Sequence, residues 1–325
     1  MQNKTYKMLS LCLIICVILS VSTACHTHNF NQQIATEPFI ASDANCKEKA
    51  KYYYSCSCGE IGLKTFEHGE ILAHDCKNGQ CIWCQEKVSA GLSYKLINNI
   101  EYEVIDVGTC IDTTVYIPST YKGLPVTAIG DDAFSNNPLI TSVEIPNGVK
   151  SMGSIVFWGC SFLKRIVIPD SLTDFMPTSC FSYCPSLETI IVGSGNPKYH
   201  SDGNCLIETA TNTLILGCST CVIPEYVHTI GDKAFHGCSS LVSITIPDHI
   251  TTMGFSVFSF CSSLKSVIIP DSVTTMRSNI FRGSFSLKTI YCEASMQPSG
   301  WDTYWKSEDT EWRCPAEVIW GYKGN

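Results

Sequence analysis

Residues 231–247 read GDKAFHGCSSLVSITIP: a glycine-led turn, the pair Ala234-Phe235, a lone Cys238, and the alternation Ile244-Thr245-Ile246 closed by Pro247. Such alternation is the period of a half-buried strand. The terminal proline has no N–H to give to a ladder, so it stops the strand and turns the chain. The same order recurs. Pro146, Pro169, Pro224, Pro247 and Pro270 each close a strand, and 146 to 169, 224 to 247 and 247 to 270 are intervals of 23 residues. The copy from Pro169, PDSLTDFMPTSCFSYCPSLETIIV, has one inserted residue; another copy starts at Pro270, and the first begins near Pro125, which makes six. Self-similarity at a fixed period of this length indicates supersecondary units stacked along one axis.

The columns of the repeat have physical meaning. Phenylalanine recurs at Phe134, Phe157, Phe181, Phe235, Phe258 and Phe281, ahead of strands whose inward pairs include Ile166 and Ile168, Ile244 and Ile246, and Val267 and Ile269. One coil cannot bury these side chains alone; stacking buries them as a continuous column. A second column reads Asn137, Cys160, Cys184, Cys238, Cys261, Ser284. A small side chain with weak hydrogen-bonding capacity suits a tight buried turn, so these cysteines are read first as structural, with disulfide pairing or metal binding as lesser readings.

The pattern IPxxVxxIGxxAFxxCxSLxxIxIP resembles the leucine-rich repeats of the BspA-like family, found on bacterial cell surfaces and in some protozoa. The resemblance covers about Tyr102 to Tyr322. VYIPSTYKGLPVTAIG resembles the family's lead-in, the segment from Gly195 to Cys218 a hairpin-bearing variant coil, and IYCEASMQPSGWDTYWK with VIWGY a closing cap. The fold expected is a repeat solenoid: a leucine-rich repeat array with a β-sheet face, preceded by a small Cys/His-rich module. Its divisions are a signal peptide of lipoprotein type at 1–24, the Cys/His-rich module or stalk at 25–90, the array at 91–291 with the variant coil at 195–223, and a cap at 292–325. Trp301, Trp305, Trp312 and Trp320 are large enough to cover the last coil. The resemblance also implies adhesion to host or neighbouring cells.

The 325 residues are 45% hydrophobic and 16% charged, a globular composition with length enough for a large core. The net charge of −8 argues against nucleic acid, which needs a basic face. The start, MQNKTYKMLSLCLIICVILSVSTAC, places Lys4 and Lys7 before an apolar run from Met8 to Val21. That is a secretory signal, too short for a comfortable span. Val21 to Cys25 resembles a bacterial lipobox, although Ser22 stands where leucine is usual. Lipidated Cys25 would hold the protein on the outer face of a bacterial membrane; ordinary cleavage after Ala24 is the alternative.

Residues 26–88 differ from the array. The HTH start and SCSCGE core are similar to a short module of bacterial surface proteins. Cys46, Cys56, Cys58, Cys76, Cys81 and Cys84 gather there with His26, His28, His68 and His74. Cys81-x-x-Cys84 is knuckle spacing for zinc, and the close pair Cys56 and Cys58 suits sharing a metal better than bonding to each other. A short segment with few large aliphatics needs a staple. Secretion favours disulfides, whereas the histidines and short spacings favour metal; zinc, disulfides and weak order remain open. Candidate ligands are Cys46, Cys56, Cys58, His74, Cys76, Cys81 and Cys84. The array itself requires no cofactor.

Alternate strand positions point outward. One column reads Glu144, Val167, Ile191, Thr245, Ile268, Tyr291, and beside it lie Arg165 and Ser243. Across six strands this makes an apolar and hydroxyl strip of about 24 Å. Its functional reading is a face for a protein or glycan on another cell surface; its structural reading is β-propensity alone. No phosphate loop, HExxH or GxSxG occurs in the sequence. The four histidines of the array, His200, His228, His236 and His249, fall at non-equivalent or solvent-facing positions. The chain therefore reads as a non-enzymatic, adhesin-like surface protein. The competing readings are a self-assembling surface-layer protein and a zinc-binding module on a repeat scaffold.

Overall fold

The computed structural model describes residues 30–55, 61–74, 76–77, 80–307 and 311–324. The signal segment, Cys25, Cys56 and Cys58 lie outside the described residues, as does the side chain of Cys76. The chain divides into one unit of Met1–Ala44 with Lys49–Glu70 and a second of Asn45–Glu48 with Ile71–Asn325. In the first, strands Ile40–Ser42, Ala50–Ser55 and Ile61–His68 form an antiparallel sheet. Tyr52 faces Phe66 across it, with ring centroids 5.9 Å apart.

The second unit holds the repeats. The array is led in by a hairpin, Ser93–Ile97 against Glu101–Asp106. The tight turn uses Asn98 and Asn99, both at positive φ (51° and 59°), as a twist-matched hairpin turn requires. Parallel pairing then takes over. Thr114–Tyr116, Ser142–Glu144, Arg165–Ile168 and Thr189–Val192 stack in one parallel sheet. Ser266–Ile269, Thr289–Cys292 and Glu317–Trp320 form another. Two-residue strands, Thr229–Ile230, Thr252–Met253 and Thr275–Met276, make a further parallel row. There Thr229 pairs with Thr252 and Thr252 with Thr275, so the ladder register equals the sequence period.

The phenylalanine column lies inside and is fully buried or nearly so. Its rings stack in two triplets rather than one continuous spine. Phe134, Phe157 and Phe181 are spaced at 5.2 and 5.5 Å, and Phe235, Phe258 and Phe281 at 5.2 and 5.8 Å. Between the triplets stands Gly217. Its N–H donates to the carbonyl of Ala234, the residue before Phe235, just as the N–H of Phe258 donates to Ile280, the residue before Phe281. Gly217 therefore occupies the phenylalanine position of the variant coil. A Cβ there would lie 2.1 Å from the Phe235 ring, which occupies the space.

The turn around each ring repeats as well. Two residues before phenylalanine the backbone is left-handed at Asp132, Ile155, Lys233, Ser256 and Asn279, and two residues after it at Asn136, Gly159, Tyr183, Gly237, Phe260 and Gly283. Ile155, at φ 50°, is β-branched and unsuited to that region. The constraint comes from the neighbouring coil, whose backbone groups the turn must meet: Phe134 N–H donates to the Val156 carbonyl at 3.0 Å.

The variant coil is a three-stranded meander of Tyr199–Asp202, Cys205–Glu208 and Thr213–Leu216. Asp202 ends the first strand, and the turn proper is Gly203-Asn204, both at positive φ. A disulfide joins Cys205 to Cys221 across 16 residues. With its backbone spent in the meander, this coil gives no strand to the outer parallel sheet. The next coil is consequently an edge, where Thr245 makes only an isolated bridge to Ile268, and Ile244 is half-buried. At the far end Trp305 meets the Phe281 ring edge-on at 6.2 Å, and Trp301 donates its indole N–H to the Val273 carbonyl. Trp320 packs on both, whereas Trp312 lies against Phe260 and Phe285 instead of over the end.

Candidate functional site

The outward column assembles by strand register. Tyr116 pairs with Glu144, Glu144 with Val167, and Val167 with Ile191 in the first sheet; Thr245 bridges Ile268, Ile268 pairs with Tyr291, and Tyr291 with Ile319 in the second. The six-strand strip expected from the sequence is thus two blocks, interrupted by the meander. Strand alternation makes the intervening residues Val143, Ile166, Ile190, Val267 and Ile290 wholly buried while the column stays outside. Ile191, Ile268 and Ile319 are 38, 42 and 38% exposed. Arg165 pairs with Glu144 at 3.5 Å across the strands, an exposed contact of little energetic weight. Ser243 is exposed and lies outside any strand. Tyr291 is partly covered by Tyr322, with centroids 4.5 Å apart. A cleft lined by Asn147, Val167, Pro169, Asp170 and Ile191 runs beside the first block.

Sequence reasoning missed a second row on the turn side. Trp158 meets Tyr183, Tyr183 meets His236 and Phe260, Phe260 meets Trp312, and Trp312 meets Phe285, all at centroid distances of 5.1 to 5.9 Å. The signal lay in Trp158, Tyr183, His236 and Phe260, each one or two residues after a column phenylalanine, and in Phe285, four after Phe281. Burial, together with the Lys233 and Arg282 charges, depresses His236 to about 4.

Three of the four column cysteines, Cys160, Cys184 and Cys261, are hydrogen-bond donors to the coil before. Cys160 Sγ donates to the Phe134 carbonyl at 3.1 Å, Cys184 to Phe157 at 3.0 Å and Cys261 to Phe235 at 3.2 Å; Ser284 Oγ does the same to Phe258 at 2.7 Å. Burial pushes the thiol of Cys160 up to about 11 and that of Cys238 up to about 12, which makes both poor nucleophiles.

Four of the candidate ligands come together within the second unit. The ligand atoms of Cys46, His74, Cys81 and Cys84 all lie within 4.8 Å of one another. Cys46 and Cys81 sulfurs are 3.6 Å apart, and Cys84 Sγ lies 3.4 Å from His74 Nδ1. Cys81 and Cys84 flank a tight turn closed by Gln85 N–H to the Cys81 carbonyl at 3.0 Å. Cys46 is presented by a turn in which Asn45 Oδ1 accepts from the N–H groups of Lys47 and Glu48. Burial opposes ionisation of Cys81, but the N–H groups of Cys84 and Trp83 and the His74 side chain outweigh it and bring the thiol down to about 6. Cys46 is pushed up to about 12, by burial first and then by the sulfurs of Cys81 and Cys84.

The class of protein these features define is a parallel-β repeat solenoid with a patterned outer sheet. The model of the BspA type leucine rich repeat region matches in six copies over residues 110–203 and 215–317, and the chain belongs to that family. The chain is similar to a T. pallidum leucine rich repeat protein, with 24% identity over 62% of this chain and 68% of that one, TM-score 0.28. It is similar to a leucine rich cell surface protein of Faecalibacterium prausnitzii A2-165, with 19% identity over 73% and 94% of the two chains, TM-score 0.32. A leucine-rich repeat protein of Bacteroides ovatus ATCC 8483 shares 27% identity over 65% of this chain and 48% of that one, TM-score 0.36. No match to the chain appears among curated proteins. Among the described residues, no helix is long and apolar enough to cross a membrane.

Proposed function

We propose that the chain is a surface-held binding protein without enzymatic activity, which captures a protein or glycan of a host or neighbouring cell on the outer face of its parallel sheets. One observation supports this reading above the others: apolar side chains stand in register on the exposed side of the ladder, where polar ones would cost the core nothing. Extended sheet faces of solenoids are suited to partners because they are rigid and repetitive. Exposed Val, Ile and Tyr in rows gain free energy when covered. The surface location of a similar protein, the leucine rich cell surface protein of Faecalibacterium prausnitzii, agrees with this reading. Acylation of Cys25 would supply the anchor, and a Cys25→Ala variant would then be released from membranes.

The test compares binding of the chain from residue 25 onward to intact cells and to surfaces coated with extracellular-matrix protein. The variant Ile191→Glu/Ile268→Glu carries one charge in each block. At least a tenfold loss of affinity, about 1.4 kcal/mol, with an unchanged unfolding midpoint is the expected result. Wild-type binding by the variant would remove this face. Concentration-dependent light scattering without any heterologous binding would replace the reading with self-assembly.

A further inference from the structure

We propose that Cys46, His74, Cys81 and Cys84 form a closed tetrahedral Cys3His site for one structural zinc ion. The spacing of the ligand atoms is the first reason. With zinc–sulfur distances of about 2.3 Å and zinc–nitrogen distances of about 2.0–2.1 Å, tetrahedral angles separate two sulfurs by about 3.8 Å and a sulfur from a nitrogen by about 3.5 Å. The Cys46–Cys81 and Cys84–His74 separations of 3.6 and 3.4 Å match those edges. A disulfide needs its sulfurs at about 2.05 Å, so the arrangement is that of atoms sharing an ion, not of a bonded pair.

The surroundings fit as well. His74 turns Nδ1 toward the sulfurs, and its Nε2 lies 2.9 Å from the Thr120 carbonyl. A hydrogen bond there puts the proton on Nε2 and leaves Nδ1 free to ligate, the outer-shell partnership usual for metal-bound histidine. Glu86 Oε2 stands 3.9 Å from the same nitrogen. The ligands sit in turns built to present them: the Cys81–Cys84 knuckle after the hairpin of Cys76–Lys77 and Gln80–Cys81, and the Asn45 turn carrying Cys46. Cys46 and Cys81 are 3 and 0% exposed, yet among the described residues the local apolar cluster they belong to has only Val88 as a further buried member. So small a core cannot hold three chain segments together unaided, and a four-ligand ion supplies the missing constraint. Three thiolates and an imidazole in tetrahedral array select zinc among the common divalent ions, and four protein ligands leave no position for a substrate. Coordination displaces thiol protons to solvent, so affinity rises with pH.

Metal analysis of the chain from residue 25 onward, purified under reducing conditions, tests this. About one zinc per chain is expected, and cobalt exchanged into the wild type gives the ligand-field and thiolate charge-transfer bands of a tetrahedral site. Cys81→Ser and His74→Ala lose the metal; His74→Cys keeps it, which separates loss of a ligand from loss of the fold. The variant Cys56→Ser/Cys58→Ser also keeps it. A zinc-free wild type with no tetrahedral cobalt spectrum overturns the proposal. So does a chain whose Cys46 or Cys81 is disulfide-bonded by mass spectrometry, or loss of the ion from the Cys56→Ser/Cys58→Ser variant.

Discussion

Cys160, Cys184 and Cys261 act in the repeat as hydrogen-bonding spacers. Cys261 donates to the Phe235 carbonyl, which also accepts the N–H of Cys238, so the carbonyl uses both lone pairs. Ser284 performs the same task one coil later. Cys261→Ser is therefore expected to stay within about 1 kcal/mol of wild type in urea unfolding, while Cys261→Ala loses about 1–2 kcal/mol from the bond and the void. A larger loss for serine than for alanine would refute the donor role. His236 supplies the pH dependence. Its neutral form is favoured in the folded chain, with a value of about 4 against about 6.5 unfolded. The unfolded chain thus binds the proton first as pH falls. The stability His236 contributes is complete above about pH 6.5 and is lost between there and pH 4. His236→Gln should flatten that part of the stability profile, and an unchanged slope would contradict the assignment. These residue-level facts were half legible. The cysteine column was visible by counting, but its acceptors required the offset of one coil against the next.

At the scale of the element, the strand pattern and the 23-residue period foretold parallel stacking, because period and register are one quantity in a solenoid. The break in the spine was not foretold. Gly217 carries no ring, and only the backbone bond to Ala234 shows that it fills a ring's position. The disulfide was equally hidden, since three cysteines of the meander region, Cys205, Cys218 and Cys221, permit several pairings and sequence separation does not choose. It closes 16 residues between the second strand of the meander and the segment after the third. Cys205→Ser/Cys221→Ser should cost about 2–3 kcal/mol by chain entropy, read as a lower denaturant midpoint that matches the wild type under reduction. Equal midpoints for oxidised wild type and variant would show that the meander holds without it. The metal candidates show the same limit. Spacing identified Cys81-x-x-Cys84, but distant Cys46 and the His74 tautomer depended on turns that no periodicity encodes.

For the whole molecule, the question is which surface meets a partner. The array exposes two apolar rows: the outer-sheet column around Ile191 and Ile268, and the turn-side aromatic row that includes Phe285. The first was legible because strands alternate. The second was not, because its members come from turn positions whose side chains converge only when coils stack. The two rows make opposite predictions for one measurement: binding isotherms of Ile191→Glu/Ile268→Glu and Trp158→Glu/Phe285→Glu on the same cell or matrix-coated surface, with unfolding midpoints checked for both. The outer-sheet reading predicts at least a tenfold weakening for the first variant and wild-type affinity for the second. The reverse pattern would contradict it.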